Sequence, residues 1–251
     1  MMNPDPSFTM TAPILIYGAT GGIGSTLARR LHAAGRPLHL VARDPVKLSA
    51  LANELQAPFT VADVLDPDSF RTVQDAAGPT LSGLVYAIGS ITLKPLSRLT
   101  PDDFLHDYRL NALGAAQAVQ AALPALKKME GTASVVLFSS IAATQGFAFH
   151  ASIGMAKAAV NGLVLSLAAE LAPKVRVNAV APSLTKTGLA SGILANEKTE
   201  QAIAEMHPLP RLGEAGDTAA MAAFLLSPES GWITGQVFAV DGGRSTLRVK
   251  G

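Results

Sequence analysis

Seven short apolar runs punctuate the chain, at Ile14–Tyr17, Leu38–Ala42, Phe59–Ala62, Leu84–Ile88, Val135–Phe138, Val175–Val180 and Val237–Val240. Each is nearly continuous in apolar character and does not alternate. That pattern predicts strands buried on both faces, the condition of a parallel sheet covered by helices. Between the first runs lie helical patterns at Ile23–Ala34 and Pro45–Gln56, the second opening on a proline suited to a helix start. Two longer segments, 102–126 and His150–Leu171, carry apolar residues on more than one face, for example Val160, Leu163, Val164, Leu167 and Leu171. One face is expected on the sheet, and the Ala-rich remainder suits close approach of a second subunit, hence a homo-oligomer, dimer or tetramer. Alternation of strand and helix implies right-handed crossovers and an α/β, doubly wound parallel sheet of about seven strands flanked by helices.

Composition narrows the function classes. At 251 residues and 49% hydrophobic content the chain suits one large domain. Residues 1–11, with Pro4 and Pro6, no basic n-region and no apolar run, read as a flexible leader, leaving 12–251 as the domain. Basic and acidic side chains nearly cancel, 20 against 19, and no Lys/Arg block stands out, so no nucleic-acid or anionic-membrane partner is expected. Pro, Gly or charge interrupts every apolar run short of the ~20 residues that cross a bilayer. With no cysteine there are no disulfides, thiolate metal sites or thiol nucleophiles, and no metal site is expected; the composition fits a reducing, cytoplasmic setting.

Candidate chemistry begins where the first strand runs into Gly18-Ala19-Thr20-Gly21-Gly22-Ile23-Gly24 and helical periodicity starts as the glycines end. Glycines permit a tight turn and let backbone N–H groups meet a pyrophosphate at the positive end of a helix. This places Gly18, Thr20, Gly22, Ile23 and Gly24 at a dinucleotide, in a Rossmann-type domain. The second strand ends in Ala42-Arg43-Asp44, where an acidic residue would bind both ribose hydroxyls of NAD. A small residue followed by Arg43 instead leaves room for a 2'-phosphate and a guanidinium to grip it, so NADP(H) is favoured over NAD(H). Asp44 is either a ribose ligand or the opener of the Pro45 helix.

The spacing Gly18-x3-Gly22-x-Gly24 resembles the fingerprint of the short-chain dehydrogenase/reductase family, with Tyr17 where that family usually has threonine. Asp63-Val64, closing the third strand, resembles the family pair whose carboxylate meets the adenine; an Asp in a strand-end turn is the other reading. After the fourth strand the family's Asn-Asn-Ala-Gly is replaced by Tyr86-Ala87-Ile88-Gly89, keeping only Gly89. Tyr86 is either a neighbour of the cofactor or a core aromatic.

The resemblance extends to the catalytic positions. Asn111 matches the asparagine that bends its helix and holds a relay water. Ser140, second of the pair Ser139-Ser140, matches the serine that binds the substrate oxygen, and Lys157 the lysine that holds the nicotinamide ribose. The family's general acid, a tyrosine four residues before the lysine, falls on Ile153, which cannot transfer a proton. His150, three residues earlier, shares a helix face with Ile153 if the helix has begun there, and imidazole is an acid near neutral pH; a cap or a solvent-facing histidine is the alternative. Pro182-Ser183-Leu184-Thr185-Lys186-Thr187 resembles the family's Pro-Gly-x-x-x-Thr, implying nicotinamide contacts from Pro182, Thr185 and Thr187. Residues Gly188–Pro210 resemble its substrate lid, and 232–243 its last strand.

Together these imply an NADP(H)-dependent oxidoreductase interconverting a carbonyl and an alcohol of a small-molecule substrate, with an atypical proton donor. Two other readings stay open: an NADP(H)-binding regulator or scaffold without turnover, and a dehydratase or isomerase on the same fold.

Overall fold

The computed structural model describes residues 12–194 and 196–249; the expected leader lies outside them. Seven strands form one wholly parallel sheet: β1 (Ile14–Tyr17), β2 (Leu38–Ala42), β3 (Phe59–Val61), β4 (Gly83–Tyr86), β5 (Ala133–Phe138), β6 (Val175–Pro182) and β9 (Val237–Val240), in the order β3-β2-β1-β4-β5-β6-β9. The strands β7 (Thr185–Lys186) and β8 (Gly213–Glu214) pair apart from it. Helices α1 (Gly22–Ala33), α2 (Pro45–Leu55), α3 (Ser69–Ala77), α4 (Pro101–Tyr108), α5 (Gly114–Lys127), α6 (Ala151–Leu171), α7 (Glu197–Glu205) and α8 (Ala215–Leu225) complete the domain.

Side-chain alternation along each strand divides the core in two. Ile14, Ile16, Leu40, Val85 and Val136 meet α1, α2 and α8 on one face. Leu15, Tyr17, Val41, Leu84 and Val135 meet α3, α5 and α6 on the other. β1, β2, β4 and β5 are buried at every position, which is why their apolar runs are continuous. The edge strands β3 and β9 are only partly covered.

The segment expected as one helix over 102–126 is two, joined by a π-helical turn at Arg109–Leu113. In α6 the expectation of no membrane-length run needs correction. An 18-residue stretch within its 21 residues reaches a mean hydropathy of 1.4, enough in length and composition for a span, because Gly154, Lys157 and Gly162 interrupt the run without breaking the helix. Here that apolarity packs on β5, β6, α4 and the π turn. Strand order reverses between β1 and β4, so the crevice at their carboxyl ends is where a doubly wound sheet takes its ligand.

Candidate active site and cofactor cleft

The glycine turn sits in that crevice. Gly18 adopts φ +77°, and a β-carbon there would stand 2.6 Å from the carbonyl oxygen of Ala87, so only glycine lets β1 turn against β4. Gly22 leaves room for the Thr187 methyl, 2.8 Å from where a β-carbon would lie. α1 starts with Gly21 at its N-cap, no capping side chain and no acid in its first turn. Among the described residues no side chain caps its first N–H groups, which fits a pyrophosphate there. Thr20 borders this turn, half-buried, and Gly24 packs on the carbonyl of Gly18.

At the adenosine end, Asp44 caps α2: its Oδ1 accepts from the N–H of Val46 (3.1 Å) and Lys47 (3.0 Å). Arg43 beside it is exposed, and no carboxylate among the described residues pairs with it. The Asp63 carboxylate accepts from the N–H of Leu65 (3.0 Å) as a strand-end turn does, and stays exposed; Val64 turns into the core.

One cleft of about 270 Å³ gathers Ile23, Gly89, Ser140, His150, Ile153, Lys157, Pro182, Thr185 and Thr187. The two serines have separate duties. Ser139 Oγ donates to Asn161 Oδ1 (2.6 Å) and ties β5 to α6, whereas Ser140 caps the following 3-10 turn through Ala142 N–H (3.1 Å) and lines the cleft. Lys157 is buried, and its Nζ donates to the Phe138 carbonyl (2.8 Å). Burial lowers its pKa to about 8, against the opposing charge of Asp107. One helical turn earlier Ile153 presents a buried apolar wall. His150 is the N-cap residue of α6. Its Nδ1 lies 2.7 Å from the Ala148 carbonyl, which only accepts, so Nδ1 carries the hydrogen. Nε2 is then a base in the neutral ring and an acid only in the imidazolium.

Asn111 lies in the π turn, buried, its Nδ2 donating to the Asp107 carbonyl (2.8 Å) and to Ser90 Oγ (3.0 Å). Its Oδ1 finds no partner among the described residues and, with Lys157 Nζ, flanks Gly89. Tyr86 is a core aromatic: its hydroxyl donates to the Leu110 carbonyl (2.8 Å), tying β4 to the π turn where the family's asparagine is missing.

Sequence reasoning missed several groups. Asp107 is fully buried beside the site. Arg244, near the chain's end, lines the cleft and stacks 5.0 Å from the Phe147 ring centre. Ser183 Oγ and His207 Nε2, 2.8 Å apart, hold the lid segment to the end of β6, helped by the Lys186–Glu200 ion pair (2.7 Å). Helical spacing was the available signal for Asp107, four residues before Asn111. Arg244 and His207 carry no local signal.

A parallel sheet with a phosphate-type glycine turn at its switch point, beside an apolar cleft holding Ser140 and Lys157, defines a dinucleotide-binding class. The family model described as enoyl-(acyl carrier protein) reductase matches residues 18–245. A tropinone reductase homolog from Arabidopsis thaliana is 34% identical over 239 residues, covering 91% of both chains. A short-chain type dehydrogenase/reductase from Mycobacterium ulcerans superposes with a TM-score of 0.88 at 32% identity, covering 94% of this chain and 90% of that one. A gluconate 5-dehydrogenase from Burkholderia cenocepacia, solved in complex with NADP and tartrate, superposes with a TM-score of 0.88 at 26% identity, covering 94% and 96%. The chain belongs to the short-chain dehydrogenase/reductase family and is an oxidoreductase.

Proposed function

We propose that this protein is an NADP(H)-dependent reductase or dehydrogenase that interconverts a carbonyl and an alcohol on an apolar small molecule, with His150 as its proton donor. The observation that carries this reading is the cleft itself, which Ser140, Lys157, His150 and Ile153 all line together with Ile23 of the glycine turn. NADP(H) over NAD(H) is supported by the exposed Arg43 and by Asp44, whose Oδ1 is committed to capping α2. A structurally similar relative was solved with NADP. Ile88, Phe138, Ile141, Leu184 and Ile193 make the cleft predominantly apolar, which favours a hydrophobic substrate over a sugar.

When bound, the cofactor supplies or accepts the hydride. The chain does the rest. The α1 N-terminus and Arg43 would hold its phosphates, and Lys157, Thr185 and Thr187, which line the cleft, would hold the nicotinamide riboside. Ser140 donates to the substrate oxygen. His150 as imidazolium gives that oxygen a proton during reduction, and as neutral base takes it back during oxidation. Exposed Leu105, Tyr108, Met155 and Leu165 on α4 and α6 support a homo-oligomer through these helices.

A regulator that binds NADP(H) without turnover is the second reading, favoured by Ile153. NADPH consumption with a panel of apolar ketones, aldehydes and quinones, for the wild type and His150→Ala, tests both. The proposal expects turnover that falls about 100-fold in the variant. Tight binding without turnover on any substrate supports the regulator, and an unchanged rate in His150→Ala removes the histidine from the chemistry.

A further inference from the structure

We infer that Asp107 is a positioning residue of this site: its buried carboxylate fixes the direction of the Ser90–Asn111 hydrogen-bond chain and places a buried negative charge on α4, the helix packed against α6 and its Lys157. The inference rests on the oxidoreductase reading and adds to it a residue outside the glycine turn and the Ser140–Ile153–Lys157 set.

Asp107 is fully buried on α4, one turn before Asn111. An ionised carboxylate accepts and never donates. Ser90 Oγ donates to its Oδ1 (2.5 Å), Thr92 Oγ1 donates to the same oxygen (3.0 Å), and Ser152 Oγ donates to Oδ2 (2.7 Å). Ser90 has spent its proton, so its oxygen can only accept, and it accepts from Asn111 Nδ2. The other Nδ2 proton goes to the Asp107 carbonyl. Both amide protons are thus assigned, and Asn111 must turn Oδ1 the other way, toward Gly89 and Lys157, where it lies buried and unpaired among the described residues. Replacing the carboxylate by any group that donates would release this order. Ser152 carries the same carboxylate's hold to the first turn of α6, next to Ile153.

Charge makes the second half of the case. No Lys, Arg or His of the described residues forms an ion pair with Asp107, so its countercharge lies beyond contact. Of the elements packed on α6, β5 and the 3-10 turn at Ile141–Ala143 bring no charged group. The β6 cation Arg176 is spent on the carbonyls of Leu225, Ser227 and Ile233. On α4 and the π turn, Asp102, His106 and Arg109 are exposed, and Asp103 is paired with Lys94 at 2.6 Å. His150 and Arg244 line the cleft and form no ion pair with Asp107. Among the described residues, Asp107 is the carboxylate whose charge opposes the desolvation of Lys157, beside the hydrogen bond that Nζ donates to the Phe138 carbonyl.

The test is an NMR titration of the cofactor-free, full-length protein labelled with 13C at lysine Cε, with Lys157 assigned by its loss in Lys157→Arg. The expected wild-type midpoint is about 8. Asp107→Asn, which keeps the shape, should lower it by about one unit or more. Ser90→Ala, which keeps the charge, should leave the midpoint in place but let the Asn111 side-chain amide exchange between orientations, seen as broadening. An unchanged Lys157 midpoint in folded Asp107→Asn, or a sharp Asn111 amide in Ser90→Ala, overturns the inference. Should Asp107→Asn not fold, the wild-type titration still decides, since a Lys157 already neutral at about pH 6 would show that no carboxylate supports it. Turnover enters none of these readouts, so failure of the redox proposal registers separately, as absent NADPH consumption.

Discussion

Tyr17 and Tyr86 stand side by side in the core, their ring centres 5.9 Å apart, and burial holds both phenols above the usual range. Tyr86 hydrogen-bonds Leu110, whereas the Tyr17 hydroxyl is buried with no partner among the described residues. An unmade buried hydrogen bond costs more than a made one contributes. Tyr17→Phe should therefore leave stability unchanged or raise it by up to about 1 kcal/mol, while Tyr86→Phe should lower it by about 1–2 kcal/mol, as read by urea unfolding. Two aromatics at strand ends were legible in the sequence; which of them had a partner was not, because that depends on a carbonyl in the π turn. Ile153 stands on α6 one helical turn before Lys157, the spacing at which the family resemblance puts a tyrosine. If its apolar side chain is what forces the proton through His150, Ile153→Tyr should raise reductase turnover about tenfold or more and make His150→Ala nearly silent. No gain in Ile153→Tyr would argue that the cleft does not run carbonyl reduction.

Between β4 and β5 the chain shows how an element can be half readable. Periodicity marks a long helical segment, and the Thr100 capping box with Asp103 opens it as expected of such a sequence. The π turn at Arg109–Leu113 is invisible to periodicity, because one wider turn shifts the apolar face without abolishing it. Asn111 marked the place only through family resemblance. Asp107 was hidden among exposed neighbours, His106 and Tyr108, and reads locally as part of a solvated face. Gly114 closes the π turn against the Tyr86 hydroxyl, with no room for a β-carbon. Gly114→Ala should displace that hydroxyl, cost about 1–3 kcal/mol in unfolding experiments, and reduce turnover through Asn111. Full stability in this variant would show the contact to be easily relieved.

At the scale of the molecule, the parallel sheet was legible because its central strands are covered on both faces, and the glycine turn because it must lie at the switch point. The edges were read less well: β3 is shorter than its apolar run suggests, and β4 stops at Tyr86 where the chain leaves to build the cleft. Of the cleft's roof, the segment Gly188–Pro210 that carries α7 was read as a lid through family resemblance, whereas Arg244 was not legible, because it meets Phe147 only through a tertiary contact. The proposed function rests on one claim, that the crevice between β1 and β4 takes a 2'-phosphorylated dinucleotide with Arg43 at the phosphate. Fluorescence titration of NADPH and NADH against the wild type and Arg43→Ala tests it most directly. Tighter binding of NADPH than NADH, with the variant losing about tenfold or more for NADPH and little for NADH, is the predicted result. An equal loss for both would contradict the phosphate assignment, and absence of binding by either would contradict the account from the glycine turn onward.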